Sequence, residues 1–233
     1  SLLKKLRGSS KPSSESGEKK MRMLRRLPKI LKFIPGKSQD LRAWFLAMQY
    51  WLGGTDENIE SMLRFLISRY SRLEEWRGCK SEMPKDYPDV GLYHPDSKGK
   101  IVDSIEDLPK LESPLGTIGI LLMRSYVLSG DTAHYDAVIK RFQEHNIQVV
   151  PAFSGGLDAR PAIEKYFKNS EKPVIDGLLS LTGFSLVGGP AYNDSEAAVS
   201  VLRELNLPYV AAHPLEFQTL SQWSGSSGGL GPI

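Results

Sequence analysis

From residue 116 onward the chain alternates uninterrupted apolar runs with stretches of helical periodicity, and this alternation constrains the fold more than any other feature. The runs are 117–123 (TIGILLM), 147–153 (IQVVPAF), 174–182 (VIDGLLSLT) and 209–212 (YVAA). None alternates strictly between apolar and polar residues, so each is read as a strand covered on both faces, as in a parallel sheet. Between them, 131–145 places Tyr135, Val138, Ile139 and Phe142 on one helical face. A short helix is expected over 162–167, and 195–205 carries Ala198, Val201, Leu202 and Leu205 at helical spacing. The expected fold class is therefore α/β: a Rossmann- or flavodoxin-like domain over 116–233, its parallel sheet covered by helices on both faces and joined by right-handed crossovers. Ligands of such sheets bind outside the carboxyl ends of the strands, here 124–131, 154–158, 182–190 and 213–218.

Upstream the period is 3.6. Asp40 is a plausible N-cap, and Leu41, Trp44, Phe45, Met48 and Leu52 follow at steps of three and four. Gly53-Gly54 ends that helix and Thr55 caps the next, whose stripe is Ile59, Met62, Leu63, Leu66 and Tyr70. This predicts a helical hairpin within 38–80, its aromatic stripe buried as core. Five prolines (Pro84, Pro88, Pro95, Pro109, Pro114) space out 81–115, read as an irregular connector with one short extended segment at 91–95.

Residues 1–37 form a basic arm, with 12 Lys/Arg against Glu15 and Glu18, while the remainder carries a net charge of −7. A linker, KPSSESG, occupies 11–17; Leu24, Leu27 and Leu31 then recur within 19–33, interrupted by Pro28. The arm is expected to pack on the acidic remainder of a larger protein. A nucleic-acid role is set aside, because no stacking aromatics interleave with the basic residues and Phe33 stands alone. No apolar run reaches the ~18–20 residues of a membrane-spanning helix, although the basic stretch leaves peripheral membrane contact open. The single cysteine, Cys79, excludes an intrachain disulfide framework or a cysteine zinc cluster and fits a reducing compartment. A start at Ser1 reads as a processed product or a piece of a longer chain.

Several chemistries lack their motifs. There is no G-x-x-x-x-G-K-[ST], no G-x-G-x-x-G after the first strand and no H-E-x-x-H. The formal G-x-S-x-G at 225–229 follows no strand, so it is not a nucleophile elbow. No catalytic residue and no metal ligand is assigned. The richest loop follows the first strand. It contains Arg124, Ser125 and Tyr126, then Ser129, Gly130 and Asp131, then His134 and Tyr135. Ser129 or Asp131 can cap the following helix, and His134 lies one turn into it. Small-residue turns at Ser154-Gly155-Gly156, Gly183 and Gly188-Gly189 either cradle a ligand or merely permit tight turns.

The stretches RSYVLSGDTAHYDAVI (124–139), VVPAFSGGLD (149–158), SLTGFSLVGGPA (180–191) and PLEFQT (214–219) resemble the large, or H, subunit of magnesium chelatase. They resemble large cobalt chelatase subunits more distantly. YWLGGTDEN (50–58) and MRMLRRLPKILKFIPGK (21–37) fit the same family, the latter in a form like its plant and algal branch. The resemblance implies a slice of a much larger porphyrin-binding subunit. That subunit inserts Mg2+ into protoporphyrin IX on the way to chlorophyll, with ATP hydrolysed by separate AAA+ motor subunits (I and D). It also implies a porphyrin-binding activator protein as partner, a chloroplast stromal location with envelope or thylakoid association, and a fragment inactive alone. A shortened paralogue with a binding or regulatory role is the alternative. If this slice meets porphyrin, the residues expected to touch it are Arg124, Ser125, Asp131, His134, Tyr135, Thr182 and Phe184, with Tyr135 or Phe184 stacking and Arg124 pairing with a propionate.

Overall fold

The computed structural model describes residues 38–170, 172–189, 192–214 and 218–229. The basic arm and its expected amphipathic stretch lie outside the described residues. The chain divides into two compact units, one running through Pro88 with Leu128–Gly130, the other comprising 89–127 and Asp131 onward.

In the first unit, helices α1 (Ser38–Gly53) and α2 (Asp56–Tyr70) form the expected hairpin. Gly54 takes the left-handed conformation (φ +64°), and the Thr55 hydroxyl caps α2 by accepting from the Asn58 N–H. A β-carbon on Gly53 would sit 2.2 Å from Asn58 Nδ2, so this tight link requires glycine. Asn58 can be buried because both ends of its amide are paired: Nδ2 donates to the Lys85 carbonyl (3.0 Å) and Oδ1 accepts from the Lys85 N–H (2.9 Å). An ion pair of Lys85 with Glu57, and donation from the Tyr50 hydroxyl to the Glu82 carbonyl, hold the same segment. Asp40 lies within the first turn of α1 instead of capping it. Its carboxylate accepts from Arg69 (3.1 Å) and Tyr70 (3.3 Å), which closes the open end of the hairpin.

The apolar stripe is not the buried core that its periodicity predicts. On α1 the buried residues are Ala43, Leu46, Tyr50 and, at 8% exposure, Phe45, whereas Leu41, Trp44, Trp51 and Leu52 are exposed. On α2 only Asn58 is buried, and Leu63, Ile67 and Tyr70 face outward. Helix α1 is apolar around most of its circumference. The face with the small Ala43 is buried, and the tryptophan face is open.

The second unit is built on a six-stranded sheet. Its strands are β1 (Val90–Tyr93), β2 (Ile101–Val102), β3 (Gly116–Met123), β4 (Ile147–Ser154), β7 (Gly177–Ser180) and β10 (Tyr209–Ala211), in the order β10-β7-β3-β4-β1-β2. Two small hairpins, β5 (Lys168–Asn169) with β6 (Lys172–Pro173) and β8 (Gly188–Gly189) with β9 (Tyr192–Asn193), lie outside it. The four strands expected from the sequence pair in parallel, with β3 central and in register with β4 from Gly116↔Ile147 to Met123↔Ser154. The stretch expected as a connector contributes β1 and β2, which extend the β4 edge in antiparallel fashion. The third strand is shorter than its apolar run. Residues 172–173 pair back on 168–169, and Asp176 exchanges two 2.7 Å hydrogen bonds with Thr117, so the chain enters the sheet only at Gly177.

Strand alternation divides the core between the two faces. Ile120 and Leu122 join Tyr93, Phe153 and the helix α4 (Ala133–Glu144) residues Tyr135 and Ile139 on one face. Leu121 joins the other face, beneath the short helix α5 (Arg160–Ala162), the π turn Ile163–Phe167 and helix α6 (Ser195–Leu205). Gly119 permits close packing there: a β-carbon would lie 2.7 Å from Ile175 Cδ1 and 3.1 Å from the Phe167 ring. Helix α3 (Arg124–Ser129) follows β3 directly, and α7 (Leu220–Ser224) is closed by a Thr219–Gln222 capping box. Neither Ser129 nor Asp131 caps α4. Thr132 holds that position, and its hydroxyl is engaged by Tyr93 (2.8 Å) and Asp136 (3.4 Å). The Tyr93 hydroxyl, pushed up to about 12 by burial and by donation to Asp136 at 2.6 Å, stays protonated.

Candidate functional site

The connection after β3 leads to β4 on one side of it, and the chain later returns to β7 on the other. The carboxyl end of β3 is thus the topological switch point, where a crevice between adjacent loops forms without further design. Two glycine-containing loops close over it. The loop after β4 and the loop after β7 are laced by an Asp158↔Val187 bridge, with Gly188 N–H donating to the Leu157 carbonyl (2.7 Å) and Ala159 N–H to the Leu186 carbonyl (2.8 Å). Beneath them is a space of about 20 Å³ lined by Met123, Ser154, Gly156, Asp158, Thr182, Phe184 and their neighbours, room for roughly one water.

The polar atoms around this crevice are mostly committed. Asp158 holds Arg160 through both carboxylate oxygens (2.9 and 2.6 Å). Thr182 Oγ1 lies 3.0 Å from Ser180 Oγ and accepts from the Phe184 N–H, and the Ser185 hydroxyl reaches the Val187 and Gly188 carbonyls. Ser154 differs: its Oγ is buried and has no hydrogen-bond partner. The Phe184 ring sits at the rim, 37% exposed, and is not core. Gly183 (φ +72°) brings the turn against His213, whose Nδ1 would lie 3.3 Å from a β-carbon there.

Of the seven residues singled out in the sequence, Thr182 and Phe184 line the crevice. The other five surround the start of α3 and α4. Arg124 is mostly buried, its guanidinium 4.0 Å from the Asp89 carboxylate. Ser125 and Asp131 are exposed. His134 lies against Tyr135 with the rings tilted (centroids 3.9 Å, 44°) and edge-on to Tyr126 (5.5 Å), and its buried Nε2 has no hydrogen-bond partner. Tyr135 is wholly buried, its hydroxyl accepting from the Met123 N–H (3.1 Å) and pushed up to about 12 by burial, so its ring is core and offers no stacking face. Sequence reasoning places Ser154 in a small-residue turn and His213 at a strand carboxyl end, where ligands of this fold approach, but names neither as a contact residue.

A larger cavity, about 660 Å³, lies at the opposite, amino end of the strands beneath residues 103–111. Two of its three lysines are spent internally, Lys165 on Asp103 (2.6 Å) and Lys168 on Glu164 and Glu204 (2.8 and 2.6 Å). Among the described residues no group of three or more His, Cys, Asp or Glu is placed to hold a metal ion, and no helix is long and apolar enough to cross a membrane.

Comparison with known proteins decides what this fold belongs to. Residues 48–233 match the CobN/Magnesium Chelatase family, and residues 1–45 match a domain of unknown function, DUF3479. The chain belongs to the CobN/magnesium chelatase family. It is 62% identical over its whole length to the magnesium-chelatase H subunit of Rhodobacter capsulatus, and 36% identical over 96% of its length to the chloroplastic magnesium-chelatase protein ChlH of rice. It spans only 19% and 17% of those two relatives, about a fifth of their length. A solved structure, the catalytic subunit of cobaltochelatase from Mycobacterium tuberculosis, superposes with a TM-score of 0.53 over 82% of this chain and 15% of that one; at 17% identity this establishes shared fold alone.

Proposed function

We propose that this chain is a segment of a magnesium chelatase large subunit that inserts Mg2+ into protoporphyrin IX, and that its strand carboxyl ends form part of the surface on which the porphyrin is handled. The 62% identity to the Rhodobacter capsulatus protein across the entire chain carries this reading. Mg2+ and the porphyrin are substrates of the parent. ATP is spent by motor subunits, in keeping with the missing phosphate loop here, and an activator protein that itself binds porphyrin is the further partner. The rice relative is chloroplastic by name, but identity is higher to the bacterial chain, which favours a bacterial host and bacteriochlorophyll synthesis over a plastid.

A porphyrin is a flat apolar ring with two carboxylate tails. Phe184 offers it an accessible aromatic face at the rim of the crevice. The Arg124 guanidinium, 4.0 Å from the Asp89 carboxylate, is the cation proposed to pair with a propionate in a charge-assisted bond. Metal insertion also requires two pyrrole protons to leave, which needs a carboxylate or imidazole base. The convergent groups for that step are assigned to the rest of the parent, and this segment alone is expected to be inactive. The test is steady-state Mg2+ insertion by the reconstituted complex with Phe184→Ala or Arg124→Ala in the full-length protein. The expected result is a raised KM for porphyrin with kcat retained. An unchanged KM for both variants would remove this segment from substrate handling, and Mg-porphyrin formation by the 233-residue chain alone would overturn its assignment as inactive.

A further inference from the structure

The outward stripe of α1 runs Leu41, Trp44, Trp51 and Leu52, all exposed, with Met48 half-buried between them. Trp51 is 63% exposed and Trp44 55%, while the opposite stripe of Ala43, Leu46 and Tyr50 is already buried. An amphipathic helix normally turns its larger apolar stripe inward, and here the larger stripe is the one left uncovered. With a buried aromatic worth about 150–250 Å², these five residues expose on the order of 400–500 Å² on one helix face. That is comparable to the largest patch on a typical monomer, about 300–600 Å², and such patches mark interaction sites.

Two observations identify the occupant. First, the family matches change from DUF3479 to CobN/magnesium chelatase between residues 45 and 48, inside helix α1. Leu41 and Trp44 fall in the first match, Trp51 and Leu52 in the second, so one continuous helix and one continuous stripe are shared by both. Second, the relatives are about five times longer than this chain, which leaves most of the parent polypeptide available to cover the face. A second copy fits less well, because a stable dimer buries roughly 800 Å² per partner. A covalently attached domain sits at an effective concentration on the order of millimolar and needs less area to dock.

We infer that the tryptophan face of α1 is the seat of the domain that precedes it in the parent chain, the domain whose match covers residues 1–45, making α1 a shared helix that couples the two domains. This rests on the stripe and the two family matches, not on the porphyrin reading.

The test uses the full-length protein with Trp51→Cys carrying a benzophenone maleimide. After irradiation, cross-links are mapped by mass spectrometry. Adducts on residues of the domain upstream of α1, residues 1–37 included, are expected. Adducts confined to residues after Ile233, or a cross-linked dimer of two copies, would overturn the inference. In parallel, Trp44→Cys should react with a water-soluble maleimide about tenfold or more slowly than Glu60→Cys on the exposed face of α2, because reaction requires the contact to open. Equal rates would show the face to be free and would equally overturn it. If Trp51→Cys does not fold, Leu52→Cys on the same face carries the same probe.

Discussion

Replacing Ser154 by alanine should make the protein more stable. Ser154 ends β4, is 9% exposed, and has an Oγ that is buried without a hydrogen-bond partner. In the unfolded chain that hydroxyl is hydrated; in the native chain no protein group pairs with it. Burying an unpaired hydroxyl costs roughly 1–3 kcal/mol on the protein mutational scale. Alanine removes the hydroxyl and keeps the β-carbon, so the lost packing is small. A gain of about 1 kcal/mol is expected, or a rise of about 2–4 °C in Tm for a chain of this size. The assay is urea unfolding of wild type and Ser154→Ala, read by far-UV circular dichroism at fixed pH with m-values compared. A loss of more than about 0.5 kcal/mol would refute the reasoning, since it would mean that the hydroxyl is satisfied in the native state. The same variant in the full-length protein should weaken porphyrin binding if the crevice serves the substrate, in the manner of a polar group kept at the expense of stability.

Gly119→Ala should destabilise by about 1–3 kcal/mol, because the new β-carbon meets Ile175 Cδ1 at 2.7 Å and the Phe167 ring at 3.1 Å; an unchanged urea midpoint would show that the core yields there. His94, wholly buried, is held below its ordinary 6.5 by burial, with the nearby Asp96 carboxylate opposing. In acid the unfolded chain therefore binds a proton that the native chain refuses, so stability is complete above about 6.5 and falls as pH drops through the folded pKa. His94→Gln should flatten the urea midpoint between pH 7.5 and pH 5, and an identical slope in the variant would reject His94 as its source. Calorimetric titration with ATP should show no saturable binding in the micromolar range; such binding would require a phosphate site that the sequence does not contain.

The parallel strands are legible because burial on both faces writes them as unbroken apolar runs. Periodicity reports which residues share a face, but not which face is covered. The Leu41–Trp44–Leu52 stripe is therefore readable as a stripe, while its placement in the core is wrong. Strand β1 is four residues long, and its partner is Ala152–Ser154, sixty residues away in sequence, so nothing local marks it as part of the sheet. In the site, Thr182 and Phe184 follow from the rule that ligands approach strand carboxyl ends, and the same rule points to His213, two residues past β10. Tyr135 satisfies two readings, the buried stripe of α4 and a ligand face. The stripe prevails because a side chain at 0% exposure cannot also stack on a substrate. Ser154 is legible as part of a small-residue turn, but that its hydroxyl lacks a partner leaves no signal in one sequence, since only packing shows it.

The most direct test of substrate handling is an equilibrium titration of the full-length protein with protoporphyrin IX, followed by fluorescence quenching, in wild type and in Phe184→Ala, Arg124→Ala and His134→Ala variants. Loss of the exposed ring at the crevice rim should weaken binding about tenfold, equivalent to ~1.4 kcal/mol, and loss of the guanidinium should do so comparably. Wild-type affinity in Phe184→Ala and Arg124→Ala, with native circular dichroism, would contradict the account and reduce this segment to scaffold.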